Sequence, residues 1–250
     1  MDWRLIIGEG NVYWNMALDE AILLLREEDK IENTLRLYVF NPSGVTFGYF
    51  QKIFESINID FLKKNNIGFT RRITGGGAVY HDANGEITYS IIADIKFFPT
   101  DIVESFRKIC SGLIETIKMF GLNAEFKPIN DIIVNGRKVS GSAQTRKRKT
   151  LLQHGTLMYN TNLDILARSL IVSKEKLIAH GVKTIYERVT TISRELGYKV
   201  SKENVIETMV KGFEKALKIN LYRDNLSKEE EELAKKLLSK YMSKEWIYRR

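Results

Sequence analysis

The sequence predicts a single α+β domain, and three observations support this prediction. Strand-like and helix-like segments are interspersed over the first 160 residues, and the segments that follow are mostly helical in character. No Pro-, Ser- or Gly-rich linker separates the two parts, and the chain contains no internal repeat. With 250 residues, the chain is long enough to bury a substantial core. We therefore expect one domain over residues 1–250.

The first part of the chain begins with a predicted helix over Asn11–Glu28, whose first residue can cap it and whose apolar residues recur at helical spacing. Thr34–Phe40 alternates β-branched and aromatic residues and predicts a strand, which the turn-forming residues 41–44 end. Val45–Phe50 predicts another strand, and Asp60–Asn65 predicts a short helix.

The next segments flank a run of three glycines. Phe69–Ile73 predicts a strand that enters the glycine run, and Glu86–Ile92 predicts a strand that leaves it. Thr100–Phe120 has the apolar stripe of an amphipathic helix, and Gly121 marks its C-terminal end. Further helices are predicted at Asp164–Arg168, Lys174–Ile178, Ile185–Leu196, Lys202–Ala216 and Ser227–Tyr241.

The composition is that of an ordinary globular protein with an excess of positive charge: 44% of residues are hydrophobic, 28% are charged, and the formal net charge is +8. The apolar runs are too short to span a bilayer, and the N-terminus does not resemble a signal peptide. Together with a single cysteine, Cys110, these features favour a cytoplasmic protein that does not associate with membranes. The charge favours anionic partners, but the basic run Arg146–Lys149 lacks an RNA-binding signature, so nucleic acid is not favoured.

The stretch from Arg71 to Asp82 has the features of an anion-binding loop. It reads Arg-Arg-Ile-Thr-Gly-Gly-Gly-Ala-Val-Tyr-His-Asp. Glycines let a phosphate or carboxylate approach the main-chain N–H groups closely, and arginine adds a planar fork of donors. A tight turn with solvated arginines would use the same residues, so the loop alone does not decide between the two interpretations.

Asn135-Gly136 lies between two strand-like runs and predicts a β-hairpin with a two-residue type I′ turn. In the predicted register Asp131 faces Ser140, and Lys138 lies on the same face as Asp131, diagonally across the hairpin. A lysine for phosphate and a carboxylate for Mg²⁺ would serve a nucleotide, whereas the same pair could equally be a surface ion pair. The small residues Gly141–Ala143 favour the approach of a ligand.

The other candidate side chains do not predict a metal site or a nucleophile. Leu151–Tyr159 predicts a strand with a polar interruption at His154-Gly155-Thr156, and the three histidines, which include His81 and His180, lack metal-ligand spacing. Cys110 belongs to the apolar stripe of its predicted helix, which indicates a packed core thiol.

Taken in order, these motifs resemble the lipoate–protein ligase A family of the biotin/lipoate protein ligase superfamily. The resemblance covers about residues 1–200, and the combination of the glycine loop with the lysine hairpin is highly specific. The matching motifs are Asn15–Glu20, the loop from Arg71 to Asp82, Asn130-Asp131, Gly136–Ala143 and His154–Leu157, with a weaker match from Gly181–Lys183 through Arg188–Thr190.

The resemblance implies a mixed β-sheet flanked by helices, the fold shared by biotin–protein ligases and class II aminoacyl-tRNA synthetases. It implies an ATP-dependent lipoate–protein ligase, in which lipoate (or octanoate) and ATP with Mg²⁺ give the acyl-adenylate and pyrophosphate. A lysine of an acceptor protein then takes the acyl group. The acceptors that the resemblance implies are the lipoyl domains of 2-oxoacid dehydrogenase E2 proteins and the H protein of glycine cleavage.

The same resemblance assigns roles to individual residues. Lys138 is the expected catalytic residue, bridging the carboxylate and the α-phosphate oxygens as charge builds in the transition state. Asp131, with Asn130, is expected to place Mg²⁺. The residues expected to bind ATP and the acyl-adenylate are Arg71, Arg72, Gly75, Gly76, Gly77, Ala78, Val79, Tyr80, Asn130, Asp131, Lys138, Ser142, Ala143, His154 and Thr156.

Several alternatives remain open at this point. Many family members carry a smaller C-terminal accessory domain that we do not find in this sequence, so a separate accessory subunit could supply it. An octanoyl or lipoyl transferase with the same fold would act without ATP. Related transferases use a cysteine nucleophile, in many cases just before the hairpin, where residues 126–131 contain no cysteine. A basic nucleic-acid-binding module, and biotin as the carried acid, are further alternatives.

Overall fold

The computed structural model describes residues 1–171 and 184–250, and within them the backbone is organised around two sheets. The predicted helix at Lys174–Ile178, His180 and the weak motif Gly181–Lys183 lie outside the described residues. The strands are β1 (Asp2–Gly10), β2 (Thr34–Phe40), β3 (Gly44–Phe47), β4 (Gly68–Arg71), β5 (Val79–His81), β6 (Glu86–Asp94), β7 (Ala124–Lys127), β8 (Asp131–Val134), β9 (Arg137–Arg146), β10 (Thr150–Met158) and β11 (Asn220–Arg223).

The helices cover both faces of the larger sheet. Each long helix begins at a capping residue whose side chain accepts a hydrogen bond from the first turn, as Asn11 does from the N–H groups of Tyr13 and Trp14. The described helices are α1 (Val12–Glu27), α2 (Ile59–Lys64), α3 (Ile102–Met119), α4 (Leu163–Ser169), α5 (Ile185–Arg188), α6 (Ile192–Leu196), α7 (Lys202–Leu217), α8 (Lys228–Met242) and α9 (Lys244–Ile247). None of them is long and apolar enough to cross a membrane.

The larger sheet has eight strands in the order β11-β1-β2-β6-β10-β9-β8-β7. β11, β1 and β2 run parallel to one another, and the other pairings are antiparallel, so the sheet is mixed, as the resemblance implied. A small sheet in the order β4-β3-β5 carries the glycine loop between β4 and β5. The α+β fold class is confirmed.

Two layers of helices enclose the larger sheet. On one face, α3 and α7 pack on each other and on apolar residues of β2 and β6, including Leu35 and Tyr89. A Cβ atom on Gly112 of α3 would lie 2.3 Å from the Phe213 ring of α7, so the missing side chain allows the two helices to approach closely. On the other face, α1 and α8 pack together over Ile92 of β6.

The hairpin formed by β8 and β9 differs from the predicted register in one respect. The turn has positive φ at Asn135 (49°) and Gly136 (76°), as a type I′ turn requires. Ile133 pairs with Lys138 as predicted, but a bulge then shifts the register, and Asp131 pairs with Gly141 instead of Ser140. The bulge bends the strand locally and retains the predicted proximity of Asp131 to Lys138.

Two further predictions differ from the structure. Ile185–Leu196 is not one helix, because Val189 leaves the helical conformation to form a bridge with Lys138. The strand β1 and its neighbour β11, which lies at the edge of the larger sheet, were not predicted. Their pairing joins residues 2–5 to residues 220–223, and such long-range contacts leave little local sequence signal.

Candidate active site

The glycine loop passes close to the end of β3. Gly76 has a positive φ of 85°, a conformation that residues with a side chain rarely adopt. A Cβ atom on Gly48, just after β3, would lie 2.1 Å from the carbonyl oxygen of Gly76. Glycine is therefore required at both positions, and the loop is held tightly against the small sheet.

The buried guanidinium of Arg72 supports the glycine loop from inside. Its Nη2 donates to the carbonyl oxygens of Gly75 and Gly77 at 2.6 and 2.7 Å. Its Nε donates to Thr74 Oγ1 at 3.0 Å, and Nη1 donates to Thr46 Oγ1 at 3.3 Å. All four acceptors are neutral, and burial lowers the pKa of Arg72 to about 10. Arg72 is therefore a buried cation with neutral partners, which makes this end of the site attractive to an anion.

A chain of buried hydrogen bonds connects Arg72 to Asp19 on α1. Thr74 Oγ1 lies 2.7 Å from His154 Nε2, and His154 Nδ1 lies 2.9 Å from Asp19 Oδ2. Burial opposes the ionisation of Asp19, but the charge of Arg36 and hydrogen bonds to the carboxylate hold the pKa of Asp19 below its ordinary value. The side chains that bond to Asp19 are Arg36, Tyr38, Ser90 and His154.

The positions of the protons along this chain follow from the ionised Asp19. A carboxylate can only accept, so the proton of His154 lies on Nδ1, and Nε2 accepts from the Thr74 hydroxyl. Burial lowers the pKa of His154 below its ordinary value, outweighing the opposing effect of Asp19. The imidazole is therefore neutral at neutral pH, and Thr74 Oγ1 keeps a lone pair for the N–H of Arg72.

A second chain of the same kind reaches Arg72 from β6. Thr46 Oγ1, which accepts from Arg72, lies 2.9 Å from His81 Nε2, and His81 Nδ1 lies 2.9 Å from Glu86 Oε1. The His81 ring also stacks on Phe40, with 3.8 Å between the ring centroids. The guanidinium is thus oriented from two sides by a carboxylate, a histidine and a threonine in series.

Lys138 lies across the site from Arg72, on β9. Its Nζ is 2.6 Å from Asp131 Oδ1 on β8, as the hairpin prediction required. A Cβ atom on Gly141 would lie 2.5 Å from this Nζ, so glycine at that position leaves room for the ammonium group. Asn130 Nδ2 donates to the carbonyl oxygen of Ser142 at 2.5 Å and fixes the start of β8 against β9.

Two adjoining cavities lie between the small sheet and the hairpin. The inner cavity has a volume of about 80 Å³ and extends toward the apolar side chains of Met16, Tyr38 and Phe40. The outer cavity has a volume of about 420 Å³ and extends toward Leu166, Ile171 and Arg188. Residues that line both cavities are Gly77, Ala78, Val79, Asn130, Lys138, Gly141 and Thr156. Lys138 therefore stands at the junction of a narrow, partly apolar cavity and a wider one.

Most of the predicted site residues meet at this junction. In addition to the shared residues, Arg72, Ser142, Ala143 and His154 line the inner cavity, and Tyr80 and Asp131 line the outer cavity. Gly75 and Gly76 shape the loop without lining either cavity.

Arg71 requires a correction, because it lines neither cavity. Its side chain points to the other side of β4 and is fully buried. There its guanidinium donates to backbone carbonyl oxygens of Gly48, Tyr49, Gln51, Trp246 and Ile247. Arg71 is the last residue of β4 and Arg72 follows it, and the two side chains leave the backbone on opposite sides, so Arg72 reaches the site and Arg71 does not.

Several lining residues were not predicted. In the inner cavity they include Met16, Tyr38, Phe40, Thr46, His81 and Thr88, which come from five elements, α1, β2, β3, β5 and β6. Met16 and His81 lie within the motifs Asn15–Glu20 and Arg71–Asp82, so these motifs could have indicated that the two residues line the site. Tyr38 and Phe40 have the alternation of a strand, which indicates a shared face but not which face meets a cavity.

The environment of Cys110 does not suit a nucleophile. Cys110 on α3 has no exposed surface, and burial raises the pKa of its thiol to about 11. Its Sγ lies 3.6 Å from Ser142 Oγ, behind the wall of the inner cavity. The prediction of a packed core thiol is confirmed.

Asp131 is the only predicted metal ligand, and its surroundings offer little else to a cation. In the described part of the chain, no group of three or more His, Cys, Asp or Glu side chains could hold a metal ion. Mg²⁺ is commonly bound by one or two carboxylates together with substrate phosphates. The residues present therefore fit Mg²⁺ only as a partner of a bound nucleotide, and the metal assignment stays a prediction.

This fold and site define the class of enzymes that transfer or ligate lipoyl-type acyl groups to proteins. The chain belongs to the lipoyl protein ligase A/B catalytic domain family, whose model matches residues 11–214. The resemblance found in the sequence is thereby confirmed.

Individual relatives divide between two activities. An octanoyltransferase LipM from Kyrpidia tusciae is 33% identical over 273 residues, which cover 99% of both chains. A bi-partite lipoate protein ligase from Thermoplasma acidophilum, whose structure was studied with its E2 lipoyl domain, has a TM-score of 0.86 and 32% identity, covering 99% of this chain and 96% of the other. Lipoate-protein ligase A bound with ATP has a TM-score of 0.84 and 30% identity, covering 98% of both chains.

Proposed function

We propose that this protein attaches a lipoyl or octanoyl group to a lysine of an acidic acceptor domain of the lipoyl type. The observation that carries the proposal is the position of Lys138, which lines both the inner and the outer cavity. A cation at that junction lies where the carbonyl of an acyl group would sit if its tail filled the inner cavity. Such a cation stabilises the negative charge that develops on oxygen during acyl transfer.

The inner cavity supports the assignment of an acyl chain as the carried group. Its far wall consists of the buried side chains Met16, Tyr38 and Phe40, which offer apolar contacts to a hydrocarbon or dithiolane tail. The wider outer cavity then receives the group that reacts with the acyl carbonyl. Both steps, arrival of the donor and attack by the acceptor lysine, converge on Lys138.

Two donors are candidates for the source of the acyl group. The similarity to an octanoyltransferase favours the route that needs no ATP. In that route the amine of the acceptor lysine attacks the acyl carbonyl of an octanoylated carrier protein and forms the amide, the bond between the acyl group and the carrier breaks, and the carrier leaves with the proton that the amine gives up. The name octanoyltransferase belongs to a relative that aligns over nearly the full length of both chains. ATP-dependent ligation, our prediction from the sequence, is not established by this relative.

One feature of this chain favours the ATP-dependent route. Cys110 is the single cysteine of the sequence, and it is buried with a raised pKa, so no accessible thiol can carry an acyl-enzyme thioester. In the ligase route the carboxylate attacks the α-phosphorus of ATP, pyrophosphate leaves, and the acceptor lysine later displaces AMP. Arg72, the N–H groups of Gly77–Tyr80 and Lys138 would hold the phosphate. Asp131 would help to hold Mg²⁺, which neutralises phosphate charge when bound.

We propose that residues 1–250 act as the catalytic unit and that a separate accessory subunit assists adenylate formation if the ligase route operates. The Thermoplasma ligase that resembles this chain is described as bi-partite, which supports this arrangement. The proposed acceptors are the lipoyl domains of 2-oxoacid dehydrogenase E2 proteins and the glycine cleavage H protein.

The deciding experiment supplies the acyl group in three forms to this chain with a lipoyl-domain acceptor. One reaction contains lipoate or octanoate with ATP and Mg²⁺, and another contains an octanoylated carrier protein without ATP. Intact-mass measurement of the acceptor shows which reaction adds one acyl group to one lysine. Lipoate-dependent exchange of labelled pyrophosphate into ATP tests adenylate formation separately. Lys138→Ala should abolish the productive reaction, whereas Lys147→Ala, at an exposed lysine between β9 and β10, should leave it unchanged. A third reaction supplies preformed lipoyl-adenylate, which bypasses adenylate formation and any accessory subunit that it needs; no enzyme-dependent modification in any of the three reactions refutes the proposal.

A further inference from the structure

A group of exposed aromatic and arginine side chains lies at one end of the small sheet. Its aromatic members include Phe50, Phe54 and Tyr248, of which 67%, 72% and 36% of the surface is exposed. The Arg249 guanidinium lies 4.4 Å from the Tyr49 ring centroid, and that of Arg250 lies 5.4 Å from the Phe50 ring centroid. We name this surface the aromatic–arginine face; it comprises Tyr49, Phe50, Phe54, Tyr248, Arg249 and Arg250.

Arg71 holds the two segments that form this face in place. Its Nη1 donates to the carbonyl oxygens of Tyr49 and Gln51 at 2.9 and 2.7 Å, and its Nε and Nη2 donate to those of Trp246 and Ile247 at 3.1 Å each. In return, the indole N–H of Trp246 donates to the Arg71 carbonyl oxygen at 2.7 Å. A fully buried arginine thus fixes an exposed surface, and the exposed aromatic rings are displayed on a rigid support.

The face carries a local excess of positive charge. Burial, reinforced by the charges of Arg249 and Arg250, lowers the pKa of Arg71 to about 10. Lys52 pairs with Glu55 at 3.1 Å, so this carboxylate is already neutralised within its own turn. Exposed aromatic rings and arginines are the residue types that concentrate at protein–protein interfaces. The charge selects an acidic partner.

The aromatic–arginine face is continuous with the outer cavity. A surface groove beside Phe54 and Tyr248 is also lined by Ile171, and Ile171 lines the outer cavity as well. Gln51, which follows Phe50 directly, lines the outer cavity from the same side. A partner seated on this face would therefore have its nearest loop at the entrance that leads to Lys138.

We propose that the aromatic–arginine face is the docking surface for the acidic acceptor domain, with the acceptor's lysine extending through the outer cavity toward Lys138. This inference rests on the proposed function, since it names the surface by which that site receives its protein substrate. The face supplies an apolar contact through Phe50, Phe54 and Tyr248, and Arg249 and Arg250 attract the acidic surface around the lysine.

The test compares a protein acceptor with a small one. Phe54→Ser combined with Arg249→Glu should raise the KM for the lipoyl domain at least about tenfold, as for loss of an interface hot spot. The rate of acyl hydroxamate formation with hydroxylamine, which needs no docking, should not change. Tyr222→Ser combined with Arg223→Glu, at exposed positions on edge strand β11, is the matched control and should alter neither rate.

Each result has a distinct meaning. An unchanged KM for the lipoyl domain in the Phe54/Arg249 variant refutes the proposal that the acceptor docks on this face. The face would then be available to bind another partner, such as an accessory subunit. An equal fall in both reactions also overturns the proposal, because the face would then act by supporting the cavity or by receiving the acyl donor instead of the acceptor. Failure of the unaltered protein to modify any acceptor refutes the proposed function itself.

Discussion

The ammonium group of Lys138 and the carboxylate of Asp131 lie 2.6 Å apart at the junction of the inner and outer cavities. The pair is about one quarter exposed on the lysine side and less on the aspartate side, so a ligand in either cavity can reach it. Asp131 therefore holds the Lys138 ammonium group in one position, although the lysine side chain is flexible and could adopt many others. An arriving phosphate or carboxylate competes with Asp131 for the same ammonium group.

Gly141→Ala tests whether the position of Lys138 matters for the reaction. The new Cβ atom would lie 2.5 Å from Lys138 Nζ, and the flexible lysine would have to move away. We expect acyl transfer to fall at least about tenfold, because small displacements at a reacting centre are costly. The thermal unfolding midpoint should change little. Gly8→Ala, at a position with open space in β1, is the matched control; full activity of the Gly141 variant would contradict the role given to Lys138.

His154 should make the stability of the protein depend on pH. Its folded-state pKa is lowered from 6.5, so the unfolded chain binds a proton more readily than the folded protein. Stability is therefore fully present above about pH 6.5 and is lost as the pH falls below it. The measurement is the thermal unfolding midpoint between pH 8 and about pH 5, for which His154→Gln should show a smaller decline than the unaltered protein. Parallel declines in the two proteins would show that His154 does not cause the loss.

Cys110→Ala should leave acyl transfer close to that of the unaltered protein. The thiol is buried behind Ser142 with its pKa raised to about 11, so it is neither accessible nor ionised at neutral pH. Removing one buried sulfur should cost about 1–2 kcal/mol of the free energy of unfolding, measured by urea denaturation. Treatment of the folded protein with iodoacetamide should likewise leave the rate of acyl transfer unchanged. Loss of activity in a folded Cys110→Ala variant would contradict this assignment and support the transferase alternative, and intact mass of the unaltered enzyme with the acyl donor would then show whether an acyl group is carried on this thiol.

Rising salt concentration should weaken the use of an acidic acceptor domain. The chain carries a net charge of +8, and the Debye length falls from about 10 Å at 0.1 M salt to about 3 Å at 1 M. We expect the KM for the lipoyl domain to rise several-fold between low and high salt while hydroxamate formation with hydroxylamine stays constant. A salt-independent KM would show that charge does not guide the acceptor.

The local motifs could be predicted from the sequence because short-range rules govern them. Asn135-Gly136 requires positive φ at two successive residues, which almost dictates a type I′ turn and hence the closeness of Lys138 to Asp131. The apolar spacing of Thr100–Phe120 likewise predicted α3 to within two residues and placed Cys110 in the core. The family followed from the order of such motifs along the chain.

Only the tertiary structure decided which side chains meet at the site. Arg71 and Arg72 are adjacent and chemically equal in the sequence, yet Arg71, the last residue of β4, points away from the cavity, whereas Arg72, which follows the strand, lines it. Asp19 and His154 are separated by 135 residues, and their 2.9 Å contact exists only because α1 packs across β10. Chain order determines turns and periodic faces, whereas the pairing of distant elements determines which faces enclose a cavity. The sequence by itself thus determined the family and its motifs, and folding decided which of the two arginines lines the cavity and which supports the backbone behind it.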